Sequence, residues 1–215
     1  MKNEMFPKMM ELAMGDAGVN SFLSILKLQD EEAYNHSIEV AKLVSLCIEE
    51  MIAKGECEWP GEQIIEIIKG AILHDIGKAF LPFGIQNSKQ KLDFYMSEVI
   101  KTHPLLGYLA VRDGGYSETV KNIILLHHEN ANGTGYPTNV EDDSNYTEDN
   151  VPSYVWIVSY ADRFDAMTSG RKFKASKSYE EAWDALNNDR ISGKLPYKYA
   201  KYYHSVIKKI NIFAQ

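Results

Sequence analysis

Six histidines punctuate the chain: His36, His74, His103, His127, His128 and His204. The first five each stand near a carboxylate or at the end of an apolar run. Glu32 and His36 are four residues apart, so a helix presents both on one face. His74 and Asp75 are adjacent at the end of the apolar stretch Ile64–Leu73, with Lys78 three residues on. His103 precedes a proline. His127 and His128 close a second apolar stretch and lead into Glu129, and Asp162 follows Val155, Ile157 and Val158. A charge buried without a partner costs several kcal/mol, and a metal centre supplies that partner. Imidazole and carboxylate without thiolate suit Fe, Mn, Zn, Co or Ni better than a structural zinc. Six or more such ligands exceed what one tetrahedral ion takes. They fit two or three metals that share a bridging carboxylate, ~3.5–4 Å apart, an arrangement that acts on phosphate esters. Any one of these histidines alone reads as an ordinary core or surface residue. His204, amid Tyr202, Tyr203 and Ser205 with no carboxylate near, keeps that reading. The spaced set differs, because chance has to explain every member together.

The elements that must position these residues read as helices almost throughout. A helical stretch runs from about Phe6 to Leu28, with a weak point at Gly15–Gly18. The next runs from Asp30 to Lys54, where Ile38, Ala41, Val44, Cys47, Ile48 and Met51 recur at helical spacing. Trp59-Pro60-Gly61 is a break. The helix through Ile64–Leu73 is apolar on most of its circumference, which predicts burial. Gly77 to Lys91 reads as a loop, with Pro82, Gly84 and Asn87 as breakers. A helix from Asp93 ends near Thr102, since Pro104 disfavours the helical region at His103. Pro104 then opens a short helix to Arg112. Ser117 caps Glu118–Glu129. Asn130 to Pro152 is loop-like, a helix follows to Ser169, Ser178–Glu181 forms a capping box for a helix to Leu186, and a last helix spans Pro196 to Phe213. No run of alternating strands appears, so the fold class is all-α, a helical bundle around a buried metal site. Residues 1–28 read as an N-terminal helical extension or as part of the core, and residues 29–215 as the catalytic domain.

Composition narrows the function. With 23 basic and 30 acidic residues the formal charge is −7, which argues against duplex nucleic acid as a partner, because phosphate neutralisation needs clustered Lys and Arg. A hydrophobic fraction of 45% and a charged fraction of 25% are those of a globular chain. Cys47 and Cys57 form no CxxC pair and read as free thiols. No apolar segment reaches the ~18–20 residues of a membrane span. The expectation is a soluble, cytoplasmic protein with no membrane partner; homo-oligomerisation stays open.

The motifs together resemble those of the HD superfamily of metal-dependent phosphohydrolases, and within it the HD-GYP family. The resemblance rests on His36, His74-Asp75 inside LHDIGK, His103 in HPLLG, His127-His128-Glu129, Gly135-Tyr136-Pro137, and Asp162 in SYADRFDAMTSGRKFK. It covers about Glu32 to Lys174. It implies an all-helical phosphodiesterase acting on a cyclic dinucleotide, cyclic di-GMP first. The implied metal ligands are His36, His74, Asp75, His103, His127, His128 and Asp162, with Asp75 bridging and Glu32 matching a position that helps hold a third metal. Two or three divalent ions are implied, Fe or Mn first, with Zn, Ni, Co and Mg as alternatives. Lys78 matches a lysine that contacts the scissile phosphate, Tyr136 a tyrosine near the ligand, and Arg171 and Lys174 a basic pair that contacts the nucleotide.

The chain also departs from the family pattern. Asn130-Ala-Asn-Gly133 stands where Arg-x-Asp-Gly is frequent, and Arg171-Lys-Phe-Lys174 where RPYR is common. Thr138 to Asn150 lengthens the loop after GYP. These changes bear on which base is recognised rather than on the metals. The activity implied is hydrolysis of a 3′–5′ phosphodiester to the linear dinucleotide. Two other readings stand beside it: an HD-type nucleotidase or phosphatase on mononucleotides, and a non-catalytic module that binds a cyclic dinucleotide.

Overall fold

The computed structural model describes residues 5–86, 93–137, 146–169 and 176–214. Among them there is no strand, and the all-α expectation holds. The centre of the fold is α3 (Glu31–Ala53), α4 (Gly61–Leu73), α8 (Glu118–Leu126) and α9 (Ser153–Thr168). α3 packs on both α4 and α9, and α4 packs on α8. The starts of α3 and α8 are capped by side chains. The Asp30 side chain accepts from Ala33 N at the head of α3, with Glu31 and Glu32 in the first turn, where the helix dipole favours acids. Ser117 does the same for Val120 N in α8. α4 buries Ile64, Ile67, Ile68, Ala71, Ile72 and Leu73. At roughly 1.5–3 kcal/mol per fully buried large aliphatic side chain, this helix is an anchor of the core.

The weak point at Gly15–Gly18 is a true break. α1 (Met5–Met14) ends there, and Asp16 caps α2 (Ala17–Gln29) by accepting from Gly18 N and Val19 N. Both helices lie on α3 and α4, and they place Met10, Ala13, Val19, Leu23 and Leu26 in the common core.

The predicted loop after Gly77 is more ordered than expected. Ile76–Phe80 forms a 3-10 turn and Phe83–Gln86 a single helical turn, α5. The cause is α7 (His103–Val111), which crosses the 3-10 turn at glycine-to-glycine distance. A Cβ on Gly77 would lie 1.8 Å from His103 O and 2.6 Å from Gly107 N. α6 (Phe94–Ile100) leads into α7, which begins at His103 with Pro104 in its first turn, one residue ahead of expectation. α8 stops at Leu126, so His127–Glu129 forms a turn rather than the helix end expected. α10 (Tyr179–Ile191) has the expected capping box but runs five residues past Leu186, to the left-handed Gly193 at φ +76°. A 3-10 turn at Tyr197–Tyr199 precedes α11 (Ala200–Ala214). Cys47 and Cys57 are free thiols. No helix among the described residues is long and apolar enough to cross a membrane.

Candidate metal centre

Five helix segments converge on one point. His36 comes from the second turn of α3, His74 and Asp75 from just past the end of α4, and His103 from the start of α7. His127 and His128 follow α8, and Asp162 lies in the third turn of α9. All but His128 are at most 7% exposed. His128 is half-buried. Two sets of donor atoms form. In one, His36, His74 and Asp75 offer atoms all within 4.8 Å of one another; in the other, Asp75, His103, His127 and His128 do. Asp75 is common to both. Asp162 closes the first set, with Oδ1 2.9 Å from His36 Nε2 and 3.9 Å from His74 Nε2, and its Oδ2 is 3.7 Å from His128 Nδ1.

The imidazoles are oriented from behind. His74 Nδ1 lies 2.8 Å from Ala71 O, His103 Nδ1 2.7 Å from Ile100 O, and His127 Nδ1 3.0 Å from Ile124 O. These carbonyls can only accept, so each Nδ1 carries the proton and each Nε2 turns inward with its lone pair free. Helix geometry explains the repetition: a side chain at the end of a helix reaches the carbonyls of the preceding turn. Ser159 Oγ donates to His127 O at 2.7 Å and pins that turn to α9.

The centre has the protonation states that metal ligation needs. Burial, reinforced by neighbouring imidazoles, pushes His127 well below the usual range, and burial takes His128 down to about 3. Burial also lowers His74. Burial works against ionisation of Asp75, but Lys78, His74 and His103 outweigh it and hold the carboxyl well below its usual range. Asp162 is held down against burial by His36 and His128. His36 is the exception: against burial, the carboxylates of Asp162 and Asp165 raise it to about 9. A cation bound at its Nε2 would take the place of that proton.

His74 Nε2 and Asp75 Oδ1 are buried and face other donors of the set, Asp75 Oδ2 at 3.5 Å and His103 Nε2 at 3.1 Å respectively, with no well-formed hydrogen bond between them. Leaving such groups unsatisfied costs on the order of 1–3 kcal/mol each. Imidazole nitrogens and carboxylate oxygens facing one another without thiolate fit first-row divalent ions, and two of the orphaned atoms are donors of this set. The donors fit metal.

The remaining expected site residues fall as follows. Lys78 Nζ is 2.5 Å from Asp75 Oδ2. The Tyr136 ring stacks on His128, centroids 4.7 Å apart at 28°. Glu32 is exposed, one turn before His36, and joins neither donor set. With His36, Lys78, Asp165 and Ser169 it lines a cleft of about 220 Å3. Arg171 and Lys174 lie outside the described residues. His204 stacks on Trp183 and takes no part.

Two residues to which the sequence reading gave no role stand out beside these. Asp165 is buried, with Oδ2 2.6 Å from His36 Nδ1 and Oδ1 accepting from Ser169 Oγ at 2.8 Å. The available signal was its position three residues after Asp162, on the same helix face. Glu129 is 2% exposed, its Oε1 has no hydrogen-bond partner, and burial pushes its carboxyl up to about 7.

The sequence profile of the HD domain matches residues 33–167, which span every one of these donors. The chain belongs to the HD domain family. The HD motif itself is His74-Asp75, the pair at the junction of the two donor sets. Over 169 residues, 78% of its length, this HD-domain chain is 34% identical to a cyclic di-GMP phosphodiesterase from Thermotoga maritima, of which the match covers 42%. The chain spans less than half the length of the first curated relatives it matches. Among solved structures, an HDG"Y"P protein from Bdellovibrio bacteriovorus superposes with a TM-score of 0.62 at 24% identity, over 80% of this chain and 51% of that one. The HD domain of the phosphodiesterase PgpH from L. monocytogenes, in complex with cyclic-di-AMP, gives 0.65 at 19% identity, over 91% and 98%. At these identities the structural matches establish the HD fold.

Proposed function

We propose that this chain is a metal-dependent phosphodiesterase that hydrolyses a 3′–5′ phosphodiester of a cyclic dinucleotide, cyclic di-GMP foremost, to the linear dinucleotide. The observation that carries the reading is Asp75, a buried carboxylate shared by two sets of inward-facing imidazoles. The names of the curated relatives and the GYP tripeptide after His127-His128-Glu129 support the substrate class.

His36, His74, Asp75 and Asp162 would hold one divalent ion, and Asp75, His103, His127 and His128 a second. Glu32, which lines the same cleft as His36 and Lys78, is the candidate for a third. The borderline imidazole nitrogens favour Fe, Zn, Co or Ni over Mg, the carboxylates also admit Mn, and the family resemblance puts Fe or Mn first. Such ions, when bound, lower the pKa of water toward neutrality and offset phosphate charge. The chain's own residues do the rest. The buried imidazoles and carboxylates fix the donors before substrate arrives. Lys78, beside Asp75 at the edge of the cleft, is placed to bind a non-bridging phosphate oxygen and to offset charge developing there. Tyr136, stacked on His128, is assigned to contact the nucleotide, as the GYP motif implies. Arg171 and Lys174 are assigned to the nucleotide by motif alone.

The deciding experiment uses one anaerobic preparation. Metal per chain is measured beside product formation from cyclic di-GMP, from the mixed guanine–adenine cyclic dinucleotide, and from mononucleotides. Two or three metals with a linear dinucleotide product are expected. Turnover of mononucleotides alone, or tight binding without product, overturns the reading.

A further inference from the structure

We propose that the C-terminal end of α10, acting through Arg163 and Asp189, is the positioning element for Tyr136 and so helps set substrate affinity. This rests on the cyclic-dinucleotide reading above and locates a determinant of affinity outside the segment that defines the family. Residues 189–194 lie beyond the HD match at 33–167.

The turn from Glu129 to Pro137 carries Tyr136 and is held at several points. Arg163, on α9 one residue after Asp162, lies with one guanidinium nitrogen against each side. Its Nη1 donates to Asp189 Oδ2 at 3.0 Å. Its Nη2 donates to Asn130 Oδ1 at 2.7 Å and to Glu129 O at 3.3 Å. The α10 end then meets the turn directly. Ala131 N donates to Lys194 O at 2.9 Å, and Asn132 Nδ2 to Ser192 O at 3.1 Å. Gly193, left-handed at φ +76°, brings that backbone beneath Asn132. Lys194 N donates to Asp189 O at 2.8 Å, so the group that receives the turn is tied to the group that orients Arg163.

Within the turn, Asn130 Nδ2 donates to Thr134 Oγ1, which donates to Asn132 Oδ1 at 2.7 Å. Both asparagine side chains are therefore committed to holding the turn. Its far end returns to the metal ligands: Tyr136 N donates to His128 O at 3.4 Å, and the Tyr136 ring lies on the His128 ring. Arg163 is planar and always charged, and its fork serves acceptors in two directions. A lysine there reaches only one of them.

The test compares native protein with Arg163→Ala, Arg163→Lys and Asp189→Asn, each also combined with Tyr136→Ala. For metal-loaded protein and cyclic di-GMP, KM is expected to rise about tenfold in Arg163→Ala, with kcat within about twofold and metal per chain unchanged. Partial recovery is expected in Arg163→Lys. In the Tyr136→Ala background the same change is expected to add less than twofold, since residues acting through one another are not additive. A fall in kcat at constant KM, loss of metal, or full additivity overturns the proposal. Amide exchange at Ala131 and Tyr136 reads the same relationship without substrate. Exchange at least tenfold faster in Arg163→Ala is expected, and native-like exchange overturns the proposal even if no cyclic dinucleotide is ever cleaved. Native protein without turnover but with loosened exchange in the variant would instead sink the cyclic-dinucleotide reading alone.

Discussion

Nδ1 of His36 lies 2.6 Å from Oδ2 of Asp165, and this pairing turns Nε2 of the same ring onto Asp162 at 2.9 Å. Asp165 thus does for His36 what backbone carbonyls do for His74, His103 and His127. The difference is charge: a carboxylate raises the basicity of the ring it holds, where a carbonyl orients it.

Asp165→Asn keeps a hydrogen-bonding side chain of the same size but removes that charge. The expected outcome is a 10–100-fold weaker affinity for one divalent ion per chain, at little cost to thermal stability. Competition with a graded chelator, followed by metal counting, reads this. An unchanged affinity for every ion would place Asp165 in a purely structural role.

Asp75 and Lys78 are ion-paired at 2.5 Å, yet their removal should have opposite signatures. Asp75→Ala deletes the donor common to both sets, so metal content and turnover are expected to fall together. Lys78→Ala leaves every donor in place, so metal is retained while kcat falls by roughly 10²–10³, the size of one lost electrostatic stabiliser. A full metal complement in Asp75→Ala contradicts the assignment of the bridge.

Much of this centre was legible because its donors sit at sequence landmarks. His74-Asp75 ends the most apolar helix, His127-His128 ends another, and Asp162 interrupts a third. Helix starts were legible where a cap marks them, as at Asp30, Ser117 and Ser178. The order after Gly77 was not, because it depends on α7, which lies far along the chain and covers a glycine-lined surface. The end of α10 also differs: the helix continues past Leu186 to Ile191 and closes at the left-handed Gly193, where Lys194 N donates back to Asp189 O. Asp165 was missed for a related reason. Its partner is 129 residues away in sequence, and spacing alone reveals only that it shares a face with Asp162.

Gly77 tests the packing that positions Asp75 against His103. A methyl group there meets backbone at 1.8 Å, and backbone cannot yield as a side chain tip does. Gly77→Ala is expected to cost at least about 3 kcal/mol, in the range of severe overpacking, and to reduce metal affinity by displacing His103. Denaturant unfolding of the metal-free protein measures the first effect. A midpoint shift equivalent to less than 1 kcal/mol would mean that α7 moves aside freely.

Stability should also carry an acid-dependent contribution away from the metal centre. Glu50 on α3 is paired with Lys209 on α11, with Lys54 at 3.0 Å, and accepts from Ser205 Oγ at 2.8 Å. The Lys209 pairing, with help from Lys54 and Ser205 and against a burial penalty, lowers the carboxyl from 4.5 to about 2. A group whose pKa is depressed by folding stabilises the fold above its unfolded value and stops doing so as pH falls through the folded one. The full contribution is therefore present above about pH 5.5 and disappears between about pH 4.5 and pH 2. The shift converts to about 3 kcal/mol at 1.36 kcal/mol per pH unit. Because Lys54 is 40% and Lys209 61% exposed, solvent screening reduces the expected value to about 1–2 kcal/mol. Glu50→Gln should be destabilised by that amount at pH 7, and its unfolding free energy should converge with that of the native protein as pH falls toward 2. Using the difference between the two proteins cancels the acid sensitivity of the histidine cluster, which both share. A gap that stays constant from pH 7 to pH 3 would show that the α3–α11 link depends on packing rather than on the Glu50 charge.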